Sequence, residues 1–259
     1  MTTTTATRHA LTKVPQITVY FWIVKILTTA MGEATSDYLV HRFNPYLAVI
    51  GGFVAFVAAM AIQFKVRTYV PWVYWLAVVM VAVFGTMAAD VLHIQFGVPY
   101  IASTTFFAIA LTLVFTVWYR TEGTLSIHSI YTPRREAFYW AAVLATFAMG
   151  TAAGDLAAYT AKLGFLSAGL LFMGVFAIPG LAHRFANLNA IFAFWFAYVL
   201  TRPLGASFSD WLGKSRHAGG LGYGDGPVAF VLTVLIVAFV GYLTVSGVDR
   251  EPAPRQRLR

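Results

Sequence analysis

The chain has 259 residues, 59% of them hydrophobic and only 11% charged, which is too little polar cover for a soluble globular domain. A mean hydropathy of +0.72 suits a chain whose lateral surface faces a bilayer. Cysteine is absent, so disulfide frameworks, thiolate metal sites and cysteine nucleophiles are excluded. The net charge of +8 sits mainly in short loops and the C-terminal tail, where it reads as a topology determinant rather than a nucleic-acid footprint.

The polar, threonine-rich run 1–16 lacks the apolar core and small-residue cleavage site of a signal peptide, so the first helix is expected to be retained. Apolar runs long enough to cross about 30 Å of hydrocarbon follow near 17–40, 46–64, 72–95, 99–119, 137–160, 164–182, 188–212 and 227–247. Breakers separate them, among them Asn44-Pro45, Pro71, Gly97 with Pro99, Pro133 and the glycine cluster from Gly219 to Gly226. The fold class expected is an all-α membrane protein of about eight transmembrane helices. It divides into a segment 1–16, a membrane domain 17–247 and a basic tail 248–259.

Lysine and arginine are unevenly divided. The termini and even-numbered loops hold twelve (Arg8, Lys13, Lys65, Arg67, Arg120, Arg134, Arg135, Arg184, Arg250, Arg255, Arg257 and Arg259), the odd-numbered loops four (Arg42, Lys162, Lys214 and Arg216). That bias predicts cytoplasmic termini in a bacterial inner membrane. Lys25 and Arg202 complete the eighteen and fall inside spans.

Each odd-numbered span closes with one pattern: glycine, four mostly small residues, aspartate. It reads Gly32-Glu33-Ala34-Thr35-Ser36-Asp37, then Gly85 to Asp90, Gly150 to Asp155 and Gly205 to Asp210. A two-helix unit preserves orientation, so these are four parallel helical-hairpin repeats, about 17–64, 72–119, 137–182 and 188–247. Small residues let helices approach closely, which would bring the four carboxylates toward a shared axis. Four such carboxylates cannot all stay ionised unless a cation joins them or some take protons.

The expected metal ligands are therefore Asp37, Asp90, Asp155 and Asp210, with Glu33 one turn from Asp37 on the same helix face. Oxygen ligands suit Mg²⁺, Ca²⁺ and Mn²⁺. His41 and His93, shortly after their aspartates, could add nitrogen ligands and favour manganese. Lys25, Arg202, His41 and His93 are read as proton-handling or charge-balancing groups, with Lys25 and Arg202 each paired with a carboxylate or facing a polar cavity. Gly222-Tyr223-Gly224-Asp225 matches the GYGD of potassium-channel filters and the GxGD of intramembrane aspartyl proteases. It lacks the flanking residues of either and reads as an outer loop. No HExxH, GxSxG or Walker A sequence is present, so no enzyme is expected.

The Gly32–Asp37 hexapeptide, in its four-hairpin setting, resembles that of a family of multi-pass bacterial inner-membrane proteins called membrane-anchored proteins, with a GEATSD-type motif. The resemblance spans 17–247 and brings little function with it. Repeated acidic motifs in short helical repeats are also similar in style to manganese and calcium transporter families, although those motifs differ in detail. The expectation drawn is a secondary transporter of a divalent metal cation. A passive cation channel with an acidic ring, and a non-transporting sensor or assembly protein, stand as alternatives. No permanently bound cofactor is expected. The partners are the bilayer, the metal cation and protons, with homo-oligomerisation left open.

Overall fold

Residues 12–91, 93 and 96–250 are described by the computed structural model; the first eleven residues and the tail from 251 onward lie outside them. The helices are α1 (Val19–Arg42), α2 (Pro45–Lys65), α3 (Pro71–Asp90), α4 (Tyr100–Glu122), α5 (Pro133–Asp155), α6 (Gly164–Ala186), α7 (Ala190–Gly213) and α8 (Asp225–Ser246). Local signals set their ends. Asn44 caps α2 by accepting from the Tyr46 and Leu47 amides, and Asn189 caps α7 through the Ile191 and Phe192 amides. Pro45, Pro71 and Pro133 occupy first-turn positions that need no amide. Gly123 and Gly247 close α4 and α8 in the left-handed region.

Seven of these helices are long and apolar enough to cross a membrane; α1 is long enough but carries Lys25, Glu33 and Asp37. The chain is a multi-pass membrane protein. The long connection expected from Arg120 to Glu136 is shorter than the sequence suggested, because α4 runs to Glu122 and α5 begins at Pro133. Conversely, α3 stops at Asp90, short of residue 95.

The helices sort into two layers. Burial covers 61, 56 and 67% of the apolar windows of α3, α5 and α7, against 17, 17, 22 and 28% for α2, α4, α6 and α8. The inner layer, which α1 completes, is a closed ring held at the four repeat glycines. A Cβ on Gly32 would stand 2.5 Å from Ala82 of α3, one on Gly85 2.9 Å from Phe147 of α5, and one on Gly150 2.6 Å from Arg202 of α7. Gly205 meets Thr29 of α1 and closes the circuit. Ala82, Phe147, Arg202 and Thr29 each lie three residues before their own repeat's glycine, so every inner helix bears the same relation to the next.

The outer helices obey the same rule. α2 packs chiefly on α3, α4 on α5, α6 on α7, and α8 returns to α1. The hairpin is thus a unit of sequence but not of packing: each second helix covers the inner helix of the following repeat. No repeat can bury its own apolar surface, and the ring forms as a whole. Exposed residues such as Leu47, Phe106, Leu170 and Phe230 line the outer face, as a lipid-facing surface requires.

Glycine at the ring contacts is a steric requirement that can be tested. Gly205→Val drives its side chain into Thr29 and the α1 backbone, an overpacking cost of about 1–3 kcal/mol. Gly174→Val, on the open face of α6 where a Cβ meets nothing within 4 Å, should be nearly silent. Thermal unfolding of the detergent-purified proteins should separate the two; equal melting points would show that the ring is not closed at Gly205.

Candidate cation site at the ring axis

The residue after each repeat glycine points to one level of the axis: Glu33, Thr86 and Thr151 from the first three repeats. The fourth repeat has Ala206 there and instead sends Arg202 across the centre. The Arg202 side chain is fully buried. Its Nη2 donates to Glu33 Oε2, to Thr86 Oγ1 and, at 2.7 Å, to Thr151 Oγ1, while Nη1 donates to the Thr29 carbonyl at 3.3 Å. One guanidinium thus binds all three other inner helices. This meets the expectation that Arg202 pairs with a carboxylate.

One turn further out lie the aspartates. Carboxylate oxygens of Glu33, Asp37 and Asp210 come within 4.8 Å of one another. Asp90 and Asp155 lie within electrostatic reach of Glu33 and Asp37. Both are half-buried, and neither carboxylate accepts a hydrogen bond among the described residues. α3 and α5 end on these two aspartates and pass into π-type turns, a distortion frequent at functional sites. The aromatic rings of Tyr100 and Tyr159 stack at 5.9 Å beside this acid layer.

Lys214, just past α7, was read in the sequence only as a loop charge. Its Nζ donates to Asp37 Oδ2 and stands 3.8 Å from Asp210 and 3.9 Å from Asp225. Burial works against the Lys214 ammonium, but Asp37 and Asp210 outweigh it and hold the group above the usual lysine range. Asp225, expected to be an uninvolved loop residue, begins α8 and packs its carboxylate against Gly213. It belongs to the perimeter of the site. Five carboxylates (Glu33, Asp37, Asp90, Asp155 and Asp210) therefore meet two cations, Arg202 and Lys214, and the layer keeps a negative excess when ionised.

The histidines turn away. His41 is exposed, with Nδ1 2.7 Å from the Asp37 carbonyl. His93 has Nδ1 2.8 Å from the Val98 carbonyl and Nε2 3.0 Å from Ser103 Oγ. Both nitrogens of His93 are engaged in loop-bracing contacts, whereas His41 has only Nδ1 engaged, on its own helix. Lys25 also departs from expectation: it is wholly buried and, among the described residues, has no carboxylate or hydrogen-bond partner. Its Nζ lies 4.0 Å from the ring centre of Phe147 and 4.2 Å from that of Tyr198.

The opposite end of the ring is covered by residues 12–18. They tuck beneath it through Lys13 N to the Ile130 carbonyl, Gln16 N to Asp249 and Tyr69 N to Thr12. The Lys13 Nζ sits 2.5 Å from Glu136 Oε2, and Gln63 donates to the same carboxylate at 3.0 Å.

Comparison with known proteins agrees with the repeat architecture. The family model described as Repeat of Unknown Function (DUF347) matches four times, at residues 20–69, 73–124, 138–188 and 193–249. The chain belongs to this repeat family. No curated protein and no solved structure matches it. The family's four copies coincide with the four turns of the ring, which places one glycine–aspartate pattern in each copy.

The axial ion pair is testable by a double-mutant cycle. Arg202→Met should leave Glu33 buried without its partner and cost about 3–5 kcal/mol. Glu33→Gln in the same chain should recover much of that loss, because the pair is then replaced by neutral groups. Additive losses in thermal or denaturant unfolding would show that Arg202 is not the counter-ion of Glu33.

Proposed function

We propose that this protein is a secondary transporter of a divalent metal cation, with Asp37, Asp90, Asp155 and Asp210 as ligands, Glu33 assisting, and Arg202 and Lys214 as built-in counter-ions. The observation that carries this reading is the unequal state of the acid layer. Glu33, Asp37 and Asp210 are paired with protein cations, whereas Asp90 and Asp155 are half-buried and have no ion-pair or hydrogen-bond partner among the described residues. Buried charge without a partner is costly, so the layer is suited to an ion that enters and leaves. Lys214 occupies the place between Asp37 and Asp210 that a substrate cation would take.

The ligands proposed are all oxygens; both nitrogens of His93 are occupied elsewhere, and His41 is exposed with Nδ1 on the Asp37 carbonyl. This favours a hard ion, Mn²⁺, Ca²⁺ or Mg²⁺, over zinc or copper, and Mn²⁺ is the first probe. Arg202 across the axis and residues 12–18 under the far end support stepwise transport over passive conduction through an acidic ring. The acid layer then faces the periplasm and both termini the cytoplasm of a bacterial inner membrane, as the lysine and arginine bias directs.

The direct test is Mn²⁺ binding by calorimetry and uptake into proteoliposomes. Asp90→Asn and Asp155→Asn preserve size while deleting charge, and each should weaken affinity by about tenfold or more, as loss of one charged ligand from a small oxygen site does. Glu122→Gln is the control, because Glu122 pairs with Arg134 and Arg135 outside the acid layer. Lys214→Gln should raise Mn²⁺ affinity by removing a competing cation. Folded Asp90→Asn and Asp155→Asn proteins that bind and move Mn²⁺ like the parent would reduce the aspartates to helix-end structure, and a sensor or assembly role would replace transport.

Orientation has its own measurement. Reporter fusions after Arg67 and Arg135 should read cytoplasmic and those after Phe43 and Gly97 periplasmic; the opposite pattern would invert the transporter.

A further inference from the structure

Lys25 is the buried ionisable group for which the acid layer has no use. It sits below Arg202, on the side away from the aspartates, and its Nζ makes no hydrogen bond among the described residues. The groups that face it are Phe147 of α5 and, from α7, Tyr198 and Arg202. Phe147 also lies 5.6 Å from the Arg202 guanidinium carbon, so one aromatic ring separates Lys25 from the axial ion pair. α8 contributes no charge here; its Tyr242 packs on Tyr20 instead. α3 contributes Tyr74, beyond Tyr198 and Tyr139.

A column of hydroxyls begins at the same place. Tyr198 Oη is fully buried and closes no hydrogen bond, although it lies within interaction range of Tyr139. Tyr139 Oη is 2.5 Å from Tyr74 Oη. The Tyr74 ring meets that of Tyr69 edge-on at 5.7 Å, and Tyr69 Oη donates to the Asp249 carboxylate. Tyr74, Tyr139 and Tyr198 are each at most 1% exposed, whereas Tyr69 is only half-buried. The column therefore runs from an amine with no hydrogen-bond partner among the described residues to the half-buried Tyr69 and the buried Asp249, at the end opposite the acid layer. A tyrosine hydroxyl can accept a proton on one side while donating on the other, which makes such a column conductive to protons without a standing charge.

We infer that Lys25 is the proton-carrying residue of this transporter, and that Tyr198, Tyr139, Tyr74 and Tyr69 with Asp249 form its proton path to the end opposite the acid layer. The inference rests on the transport reading above. The protonated and neutral forms of Lys25 differ by one charge at a point with no counter-ion, so their balance follows the charge of the acid layer across Phe147. When a divalent cation joins the carboxylates, the Lys25 ammonium gives one proton to Tyr198 Oη. Tyr198 passes its own proton to Tyr139, and the shift continues through Tyr74 and Tyr69 to the Asp249 carboxylate, which takes the proton at the end opposite the acid layer. Each N–H or O–H bond broken is matched by one formed, and Lys25 is left a neutral amine. Run in reverse, proton uptake by Lys25 expels the metal, because the coupling is reciprocal.

The test uses the full chain in proteoliposomes with a trapped pH dye and an imposed Mn²⁺ gradient. In the parent, Mn²⁺ movement should drive protons the opposite way, and uptake should rise with pH on the Mn²⁺-binding side. Lys25→Met should bind Mn²⁺ at equilibrium at least as tightly as the parent, yet lose Mn²⁺-driven proton movement by about tenfold or more and flatten the pH profile. Tyr198→Phe and Tyr139→Phe, which delete one oxygen each and keep the ring, should slow proton movement without changing Mn²⁺ affinity; they decide the matter where Lys25→Met fails to fold. Lys25→Met or Tyr198→Phe with the parental proton-to-Mn²⁺ ratio would overturn the inference and leave transport standing. Absence of Mn²⁺, Ca²⁺ and Mg²⁺ binding by the parent would remove the transport reading, and this inference with it.

Discussion

The guanidinium of Arg202 is the constraint on which the interior depends. A single cation, fully buried, draws acceptors from α1, α3 and α5 to α7. Such a group is tolerated only where nearly all its protons find acceptors and its charge finds a carboxylate. That demand fixes the level of Glu33, Thr86 and Thr151, and through them the rotation of each inner helix. Once those helices are rotated, the aspartate one turn further along each has little choice but to join the acid layer. The close glycine contacts serve the same end by removing the side chains that would hold the helices apart.

Symmetry in the backbone is used to build asymmetry in the site. Four equivalent positions follow the repeat glycines, and three are polar while the fourth is Ala206. Ala206 leaves room beside the arginine that its own helix supplies from the preceding turn. The same division recurs outside, where Lys214 of the fourth repeat answers Asp37 of the first. Repeat four thus supplies both counter-cations, to the acids of repeat one and to its own Asp210, and repeats two and three carry the acids that have no partner among the described residues. A fully symmetric acid ring would repel itself or hold a cation permanently; the divided one carries two of its own counter-ions and leaves part of its charge uncompensated.

Below this layer the polar chemistry changes character, from carboxylates and guanidinium to an amine and phenols packed among Trp75, Phe147 and Phe194. The outer helices take no part in it. Their role is to cover each inner helix with the second helix of the preceding repeat, and their low burial is consistent with a surface solvated by lipid. Because the cover comes from a neighbour, a break in any one repeat exposes the next.

The sequence by itself determined the membrane class, the number of repeats and the identity of the aspartates. Those facts rest on local quantities: apolar run length, charge content and a short pattern recurring at one helix position. It also marked Arg202 and Lys25 as anomalies, because charge inside an apolar run is visible without a structure. Only the tertiary structure decided which anomaly bonds to what. Arg202 reaches Glu33 across 169 positions of chain, and Lys214 reaches Asp37 across 177; neither distance leaves a trace in local composition. Lys214 was invisible as a site residue because a loop lysine and a counter-ion look alike until the loop folds back over the axis. The histidines misled for the converse reason: proximity along a helix says nothing about which carbonyl a ring nitrogen will find. Helix rotation and loop return are set by the sum of packing around a closed ring, and no single segment of the chain contains that sum.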